Sequence, residues 1–235
     1  MVARPVSPVP LPPQPTTFVG REAEVAALTR LLAEPDCRLV TIVGPGGSGK
    51  TRLALAVAAR AAPAFADGVA FAPLQDVPAT DGLIAALAVA LGYPLSGRDD
   101  PRAQLLNYLR EKELLLLLDN FEHLLEGVEL LGEVLATAPG VKLLVTSREA
   151  LNLQEEWRYP LAGLALPAEE AEDPAQAEAV RLFVERARQV RRDFSLQAEQ
   201  AGVVRLCRLA EGLPLALELA AAWRRNPPRK TANRA

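Results

Sequence analysis

The sequence contains few of the residues that build disulfide frameworks and metal centres. It has two cysteines, Cys37 and Cys207, which lie far apart in the chain, and one histidine, His123. A disulfide framework needs more cysteines, and a zinc site needs several cysteine or histidine ligands. We therefore expect two buried thiols in a reducing compartment, and neither a zinc centre nor a disulfide-stapled secreted domain.

Apolar runs of membrane-spanning length and a one-sided charge are also absent. Every apolar run is shorter than the roughly 20 residues that cross a bilayer. The N-terminus carries Arg4, but prolines interrupt the region where a signal peptide would have its apolar core. The net charge is −3 with both signs interspersed, whereas nucleic-acid-binding domains have a basic balance. These observations predict a cytoplasmic protein with no membrane contact and no direct DNA binding.

What the sequence does contain indicates an α/β fold. Half of the 235 residues are hydrophobic but only 5% are aromatic, so we expect a core of Ala, Leu and Val. Short apolar runs typical of buried parallel strands alternate with segments of helical periodicity, which predicts a parallel sheet with packed helices. The predicted strands are 39–43, 69–72, 114–118, 141–146 and 157–161, and the predicted helices are 21–33, 51–61, 81–91, 101–112 and 122–137.

The pattern changes after about residue 166, where acidic, Ala-rich sequence leads into three more predicted helices, 176–192, 198–210 and 214–225. Gly212 suits the end of the second of these helices, and Pro214 suits the first turn of the third. The sequence therefore predicts four parts, which are a Pro-rich linker (1–15), an α/β domain (16–165), a helical domain (166–225) and a disordered basic tail (226–235).

A glycine-rich loop joins the first predicted strand to the second predicted helix. Its glycines allow backbone N–H groups to converge on phosphates, and the following helix points its positive end at the same charge. Lys50 would reach the β- and γ-phosphates, and Thr51 would hold Mg²⁺. This order of strand, loop and helix predicts a P-loop that binds ATP or ADP with Mg²⁺, and a glycine turn without a ligand is the alternative. The loop reads Gly44-Pro45-Gly46-Gly47-Ser48-Gly49-Lys50-Thr51.

Two polar positions at strand ends extend the predicted site. Asp119 follows the apolar run 114–118, at the carboxyl edge where ligands bind in open α/β sheets, and we predict it as a second Mg²⁺ contact. An ordinary strand-end carboxylate is the alternative. Arg148 follows the next strand within Val145-Thr146-Ser147-Arg148, where it would approach a γ-phosphate. On spacing alone, an exposed arginine in this position is usually solvated.

The P-loop is accompanied by four further segments in a fixed order, and together they resemble the nucleotide-binding core of the STAND ATPases. That group includes the NB-ARC domains of plant resistance proteins and of apoptotic-protease activators, and the closest likeness is to large bacterial regulators of the LuxR and AfsR types. The resemblance covers about residues 16–225. The four segments are Phe18-Val19-Gly20-Arg21-Glu22-Ala23-Glu24, Leu118-Asp119-Asn120-Phe121-Glu122-His123-Leu124, Thr146-Ser147-Arg148-Glu149 and Gly212-Leu213-Pro214-Leu215-Ala216-Leu217.

The resemblance implies a five-stranded P-loop core with strand order 5-1-4-3-2, followed by a helical lid. It implies that Val19 and Arg21 lie near the adenine, that Pro214 packs on the base, and that Arg148 senses the γ-phosphate. In the family ADP holds the molecule closed, and exchange for ATP opens it for self-association. The expected nucleotide-binding residues are therefore Val19, Arg21, Gly44, Pro45, Gly46, Gly47, Ser48, Gly49, Lys50, Thr51, Arg52 and Pro214, with Lys50, Asp119 and Arg148 as the catalytic set and Thr51 and Asp119 as the Mg²⁺ contacts.

The sequence departs from the family pattern in two ways. Many relatives have two consecutive acids after the apolar strand, but here the second position is Asn120, which cannot accept a proton, while Glu122 lies nearby. Hydrolysis is therefore expected to be slow unless another group replaces the base. The family also continues into a winged-helix domain, whereas this chain stops at Ala235, which predicts a fragment, a truncated product or a stand-alone nucleotide module.

These observations favour a signalling or transcription-regulatory switch with weak ATPase activity. A catalytic AAA+-like ATPase is the main alternative, and it would need a stronger base and an arginine from a neighbouring subunit. A small-molecule kinase would need an acceptor-binding segment, and an interaction fragment would not need an intact Lys50, Thr51 and Asp119.

Overall fold

The computed structural model describes residues 11–97, 99–168 and 173–223. They form two compact units. The first unit comprises the described residues up to Thr16 together with Glu22–Pro45 and Lys50–Leu161, and the second comprises Thr17–Arg21, Gly46–Gly49 and the described residues from Ala162 onward. Residues 11–15 of the predicted Pro-rich linker have no regular secondary structure, whereas the rest of that linker and the predicted basic tail lie outside the described residues.

The first unit is built on a five-stranded parallel sheet. Its strands pair in the order β2-β3-β4-β1-β5, which confirms the predicted order 5-1-4-3-2 read from the other edge. The first five residues of β3 are buried leucines, as expected for a strand with helices on both faces. The strands are β1 (Leu39–Val43), β2 (Val69–Pro73), β3 (Leu114–Asp119), β4 (Val141–Ser147) and β5 (Glu156–Pro160).

Five helices belong to the same unit, and four of them lie close to their predicted positions. They are α1 (Glu22–Ala33), α2 (Lys50–Ala61), α3 (Leu83–Ala90), α4 (Pro101–Leu109) and α5 (Val128–Thr137).

The prediction of one helical segment over 122–137 was wrong in its first part. Two short 3₁₀ turns, Phe121–His123 and Leu125–Gly127, precede α5. Asn120 adopts a left-handed φ of 68°, and the fully buried Phe121 anchors the next turn, so an α-helix cannot begin there.

The second unit has a helical core. Its helices are α6 (Glu178–Val190), α7 (Leu196–Leu209) and α8 (Pro214–Trp223). On α6, the apolar residues Val180, Phe183, Val184 and Ala187 are buried, and Val190 at the end of the helix is 37% exposed. Gly212 has a φ of 67°, and a Cβ there would lie 2.3 Å from the carbonyl oxygen of Leu164, so this turn requires glycine. Among the described residues, no helix combines the length and the apolar character needed to cross a bilayer.

Candidate functional site

The glycine-rich loop connects β1 to α2 at the carboxyl edge of the sheet. Gly47 and Gly49 have φ values of 79° and 89°, which residues other than glycine rarely adopt. The loop starts at Gly44, whose N–H donates to the carbonyl oxygen of Ser147 at 3.3 Å. Ser48 Oγ is buried and has no hydrogen-bond partner within the described part of the chain. Buried hydroxyl groups without a partner are uncommon in native structures. In a curled glycine loop, a bound phosphate would supply the missing hydrogen bond.

Lys50 is the first residue of α2 and is only 8% exposed. Its Nζ donates to the carbonyl oxygens of Gly44 at 2.7 Å and Pro45 at 3.0 Å, so the ammonium is held inside the loop. Burial lowers the pKa of Lys50, and the negative charge of Glu122 opposes that lowering. The loop therefore presents one cation where phosphate oxygens would bind.

Two threonine hydroxyls converge on the carboxylate of Asp119. Thr51 Oγ1 donates to Asp119 Oδ1 at 2.8 Å, and Thr146 Oγ1 donates to the same oxygen at 2.6 Å. Thr146 also accepts the backbone N–H of Asn120 at 3.0 Å, which fixes the turn after β3. The structure thus brings together the two predicted Mg²⁺ contacts, Thr51 and Asp119. The sequence singled out the segment around Thr146, but it gave no sign that this hydroxyl orients the carboxylate.

Arg148 and Glu122 form an ion pair beside these groups. Arg148 Nε lies 2.9 Å from Glu122 Oε1, and the arginine side chain is 64% exposed while the glutamate side chain is 15% exposed. The side chain expected to sense a γ-phosphate is therefore held by a carboxylate in this structure.

The residues of the first unit fit Mg²⁺ and a nucleotide phosphate chain. Mg²⁺ prefers a few protein oxygens, completed by water and phosphate, and Thr51 and Asp119 supply such oxygens. The described residues contain no group of three or more His, Cys, Asp or Glu side chains that would hold a metal by themselves. A site of this kind would therefore hold the ion together with the phosphates rather than on its own.

In the second unit, the first turn of α8 contacts the tip of the glycine loop. The Leu215 N–H donates to the carbonyl oxygen of Gly47 at 3.2 Å. A Cβ at Gly47 would lie 3.0 Å from Leu215 Cβ, and one at Gly49 would lie 3.6 Å from Pro214 Cγ. Pro214 therefore stands next to the loop that the sequence assigned to the phosphates.

Arg21 anchors the segment Thr17–Arg21 within the second unit. It is 5% exposed, and its guanidinium donates to the carbonyl oxygens of Ala162 at 2.6 Å and Ser48 at 3.5 Å. Its backbone N–H donates to Glu178 Oε1 at 2.8 Å. The backbone of Arg21 is left-handed, with a φ of 68°. These contacts make Arg21 a support for the loop backbone. Val19 packs against the core of the same unit.

Arg52 lies one residue beyond the P-loop motif. Its guanidinium donates to the carbonyl oxygen of Thr16 at 2.8 Å, in an exposed position. This contact ties α2 to the N-terminal segment.

Comparison with known proteins gives the same picture. A family model that describes an AAA ATPase domain matches residues 17–222. An uncharacterized protein of Mycobacterium tuberculosis is 39% identical over 211 residues, which cover 88% of this chain and 50% of that protein. Another protein of that organism, provisionally named an HTH-type transcriptional regulator, is 35% identical over 189 residues, covering 79% of this chain and 20% of that protein. The chain thus spans at most half the length of these relatives.

A solved structure shares the fold. The crystal structure of a signal transduction ATPase with numerous domains (STAND), which carries a tetratricopeptide repeat sensor and comes from Pyrococcus horikoshii, has a TM-score of 0.55 at 19% identity. The alignment covers 94% of this chain and 32% of that chain. The resemblance recognised in the sequence is confirmed at the level of the P-loop ATPase fold.

Proposed function

The chain belongs to the AAA ATPase domain family, and from this premise we propose that it is the nucleotide-binding core of a STAND-type switch. It binds ADP or ATP with Mg²⁺ and hydrolyses ATP slowly. The observation that carries this proposal is the contact of Thr51 with Asp119 at 2.8 Å beside the loop-bound Lys50, because it joins the Mg²⁺ contacts to the phosphate site.

Each residue of the site has a definite task in this proposal. Lys50 neutralises the β- and γ-phosphates, and the backbone of Gly46–Gly49 donates its N–H groups to them. Thr51 and Asp119 hold Mg²⁺, which when bound draws negative charge away from the transferring phosphoryl group. Thr146 keeps Asp119 in its orientation through the 2.6 Å hydrogen bond. Arg148 approaches the γ-phosphate from the end of β4.

The switch part of the proposal rests on α8. Its first turn is hydrogen-bonded to Gly47, so a change in the loop on binding phosphate reaches the helix directly. Pro214, Val19 and Arg21 are proposed to form the base-binding side, with Arg21 acting through the backbone of Ser48. ATP-dependent self-association follows from the same resemblance. The mycobacterial relative named as a transcriptional regulator supports a role in transcription for a longer protein that carries such a core.

A catalytic AAA+-like ATPase is the second candidate function. It is favoured by the carboxylate of Glu122, which lies two residues after Asn120 and pairs with Arg148. The two candidates differ in rate, because a switch turns over slowly and a motor turns over continuously.

The first test is the nucleotide that the purified protein carries, released by denaturation and identified by chromatography. We expect ADP in near-stoichiometric amount. Lys50→Ala should carry little nucleotide, because the substitution removes the ammonium that the carbonyl groups of Gly44 and Pro45 hold in the loop. Arg30→Ala, an exposed arginine of α1, is the matched control and should keep the wild-type content. Equal nucleotide content in the wild type and Lys50→Ala would contradict the role of Lys50, and a wild type that neither carries nor binds nucleotide would contradict the proposed function.

A further inference from the structure

Glu122 is a nearly buried carboxylate whose hydrogen-bonding capacity is only half used. Its Oε1 pairs with Arg148, but Oε2 is buried and has no hydrogen-bond partner among the described residues. Burying a polar atom without a partner is unfavourable, and native structures leave few such atoms unless a ligand or water completes them. The second oxygen of Glu122 is therefore available to a group that arrives with the ligand.

The charge of Glu122 acts on the phosphate-binding lysine. Burial has the largest effect on the pKa of Lys50, and Glu122 is the strongest of the neighbouring charges, ahead of Arg148 and Asp119. The carboxylate of Glu122 therefore favours the charged form of the ammonium that would bind the γ-phosphate. The sequence position alone, three residues after Asp119, does not indicate this interaction.

The backbone after β3 explains how Glu122 reaches this place. Asn120 turns the chain through a left-handed conformation, and its N–H is held by Thr146. Phe121 is then fully buried, which fixes the 3₁₀ turn Phe121–His123. The next side chain, Glu122, is directed to Arg148 at the end of β4. The turn thus brings an acid to the edge of the sheet although the residue directly after Asp119 is an amide.

We propose that Glu122 orients the water that attacks ATP, and that Arg148 is the positioning residue that holds it. A bond forms between the water oxygen and the terminal phosphorus while the bond from that phosphorus to the bridging oxygen of the β-phosphate breaks. The free oxygen of Glu122 accepts the proton that the water loses and passes it to solvent. The bridging oxygen keeps the electron pair and leaves as part of ADP. This inference rests on the proposed nucleotide-binding function.

The rival assignment is Asn120, whose amide would orient the water in place of an acid. Glu122→Gln keeps the size of the side chain and removes its ability to accept the proton. Asn120→Gly removes the amide and retains the left-handed backbone, because glycine accepts a φ of 68° readily. Glu126→Gln makes the same chemical change as Glu122→Gln at an exposed position in the next 3₁₀ turn, and it serves as the matched control.

The experiment combines single-turnover hydrolysis of ATP with calorimetric titration of ADP and of a non-hydrolysable ATP analogue. For Glu122→Gln we expect the hydrolysis rate to fall by about 100-fold or more, the usual contribution of a positioned acid–base group. Neither affinity should fall, because the substitution removes a negative charge that acts on Lys50 and removes no contact with the bound nucleotide. Asn120→Gly and Glu126→Gln should keep the wild-type rate within about threefold.

The positioning role of Arg148 is tested by whether a conservative variant recovers the hydrolysis rate, since a general loss of structure would not be recovered in this way. Arg148→Ala should slow hydrolysis, and Arg148→Lys should recover part of that rate, since a cation is restored beside Glu122.

The outcomes distinguish a failure of the proposed nucleotide-binding function from a failure of the role assigned to Glu122. If the wild type binds neither nucleotide, the proposed function fails. If nucleotides bind and Glu122→Gln hydrolyses ATP as fast as the wild type, including no hydrolysis in either, the assignment of Glu122 is wrong while the binding function stands. A large loss of rate in Asn120→Gly with an unaffected Glu122→Gln would give the role to the amide.

Discussion

At the scale of single residues, the proposed Mg²⁺ and phosphate site is arranged around one oxygen atom, Oδ1 of Asp119. It accepts the hydroxyl protons of Thr51 on α2 and Thr146 on β4. Hydrogen bonds to a carboxylate are stronger than those between neutral groups, so this arrangement holds the side chain in one orientation. In the proposed site, the other oxygen, Oδ2, would bind the cation from this fixed orientation.

The proposed Mg²⁺ role of Asp119 leads to a prediction for Asp119→Asn. The amide keeps the shape of the side chain but provides a weaker ligand for a hard cation. Mg²⁺ should raise the affinity for ADP in both proteins. We expect this gain in affinity to be at least about tenfold smaller in the variant than in the wild type, which corresponds to about 1.4 kcal/mol. Binding of Mg²⁺-free ADP should change little. The measurement is calorimetric titration of ADP with Mg²⁺ and with chelator.

Asp76→Asn is the control for this prediction, because it makes the same substitution on an exposed loop. Its titrations should match those of the wild type. Superimposable Mg²⁺ dependences for Asp119→Asn and the wild type would show that Asp119 is not a ligand.

Part of this site could be predicted from the sequence. Lys50, Thr51 and Asp119 follow local patterns, because the order of apolar strand, glycine loop and helix fixes where they lie. The contacts of Thr146 with Asp119 and Asn120 join β4 to the end of β3, and the position of Glu122 depends on the left-handed turn at Asn120. A long-range hydrogen bond of this kind leaves no periodic signal in the sequence.

At the scale of elements, the side chain of one arginine caps the C-terminal end of α5 and hydrogen-bonds to the start of β4. The guanidinium of Arg38, just before β1, donates to the carbonyl oxygens of Leu135 at 2.6 Å, Ala138 at 2.5 Å and Val141 at 2.9 Å. The last carbonyl groups of a helix have no partner within it, and a cation near them also interacts favourably with the helix dipole. Burial lowers the pKa of Arg38, as expected for a cation enclosed by backbone.

Arg38→Ala should therefore destabilise the first unit. Hydrogen bonds from a charged donor are worth about 1.5–3 kcal/mol, and water can replace part of them, so we expect a loss of about 2–3 kcal/mol in the free energy of unfolding. The measurement is urea denaturation followed by circular dichroism. Arg30→Ala is the control and should change stability by less than about 0.5 kcal/mol, because Arg30 is exposed on α1. A variant at Arg38 as stable as that control would contradict the capping role.

The ends of the elements were harder to predict than their presence. The strand β1 and most helices follow their apolar patterns closely. The start of α5 does not, since the segment after β3 has helical periodicity but a backbone that is turned by Asn120 and anchored by Phe121. Tertiary packing at this point outweighs the local preference for helix.

At the scale of the whole molecule, the grouping of residues into two units does not follow chain order. Thr17–Arg21 and Gly46–Gly49, distant in sequence from the C-terminal helices, belong to the same unit as those helices. Contacts such as Arg21 with Glu178 and Leu215 with Gly47 account for this grouping. The sequence divided the chain by composition at about residue 166, and no compositional boundary can reveal that a loop tip packs with a segment so far along the chain.

Each unit contains one buried free cysteine, Cys37 in the first and Cys207 in the second. Burial raises the pKa of the Cys37 thiol, and it raises the pKa of Cys207 to about 11. The reactive thiolate is therefore scarce near neutral pH, and iodoacetamide should label either residue only when its unit opens. The rate of labelling at each cysteine, measured by mass spectrometry of the peptides, thus reports the opening of one unit.

We expect Mg²⁺-ADP to slow the labelling of Cys207 as well as that of Cys37. Gly46–Gly49 belong to the unit that contains Cys207, so a phosphate bound by their N–H groups would stabilise that unit. Ligand contacts with Lys50, Thr51 and Asp119 would stabilise the first unit. At a ligand concentration of about 100 times Kd, binding adds about 2.7 kcal/mol, which corresponds to labelling up to about 100-fold slower where opening requires release of the nucleotide. Lys50→Ala is the control, and its labelling should be unaffected by the same nucleotide. Protection confined to Cys37 would mean that the helical unit does not respond to the nucleotide. This result would contradict the proposed switch.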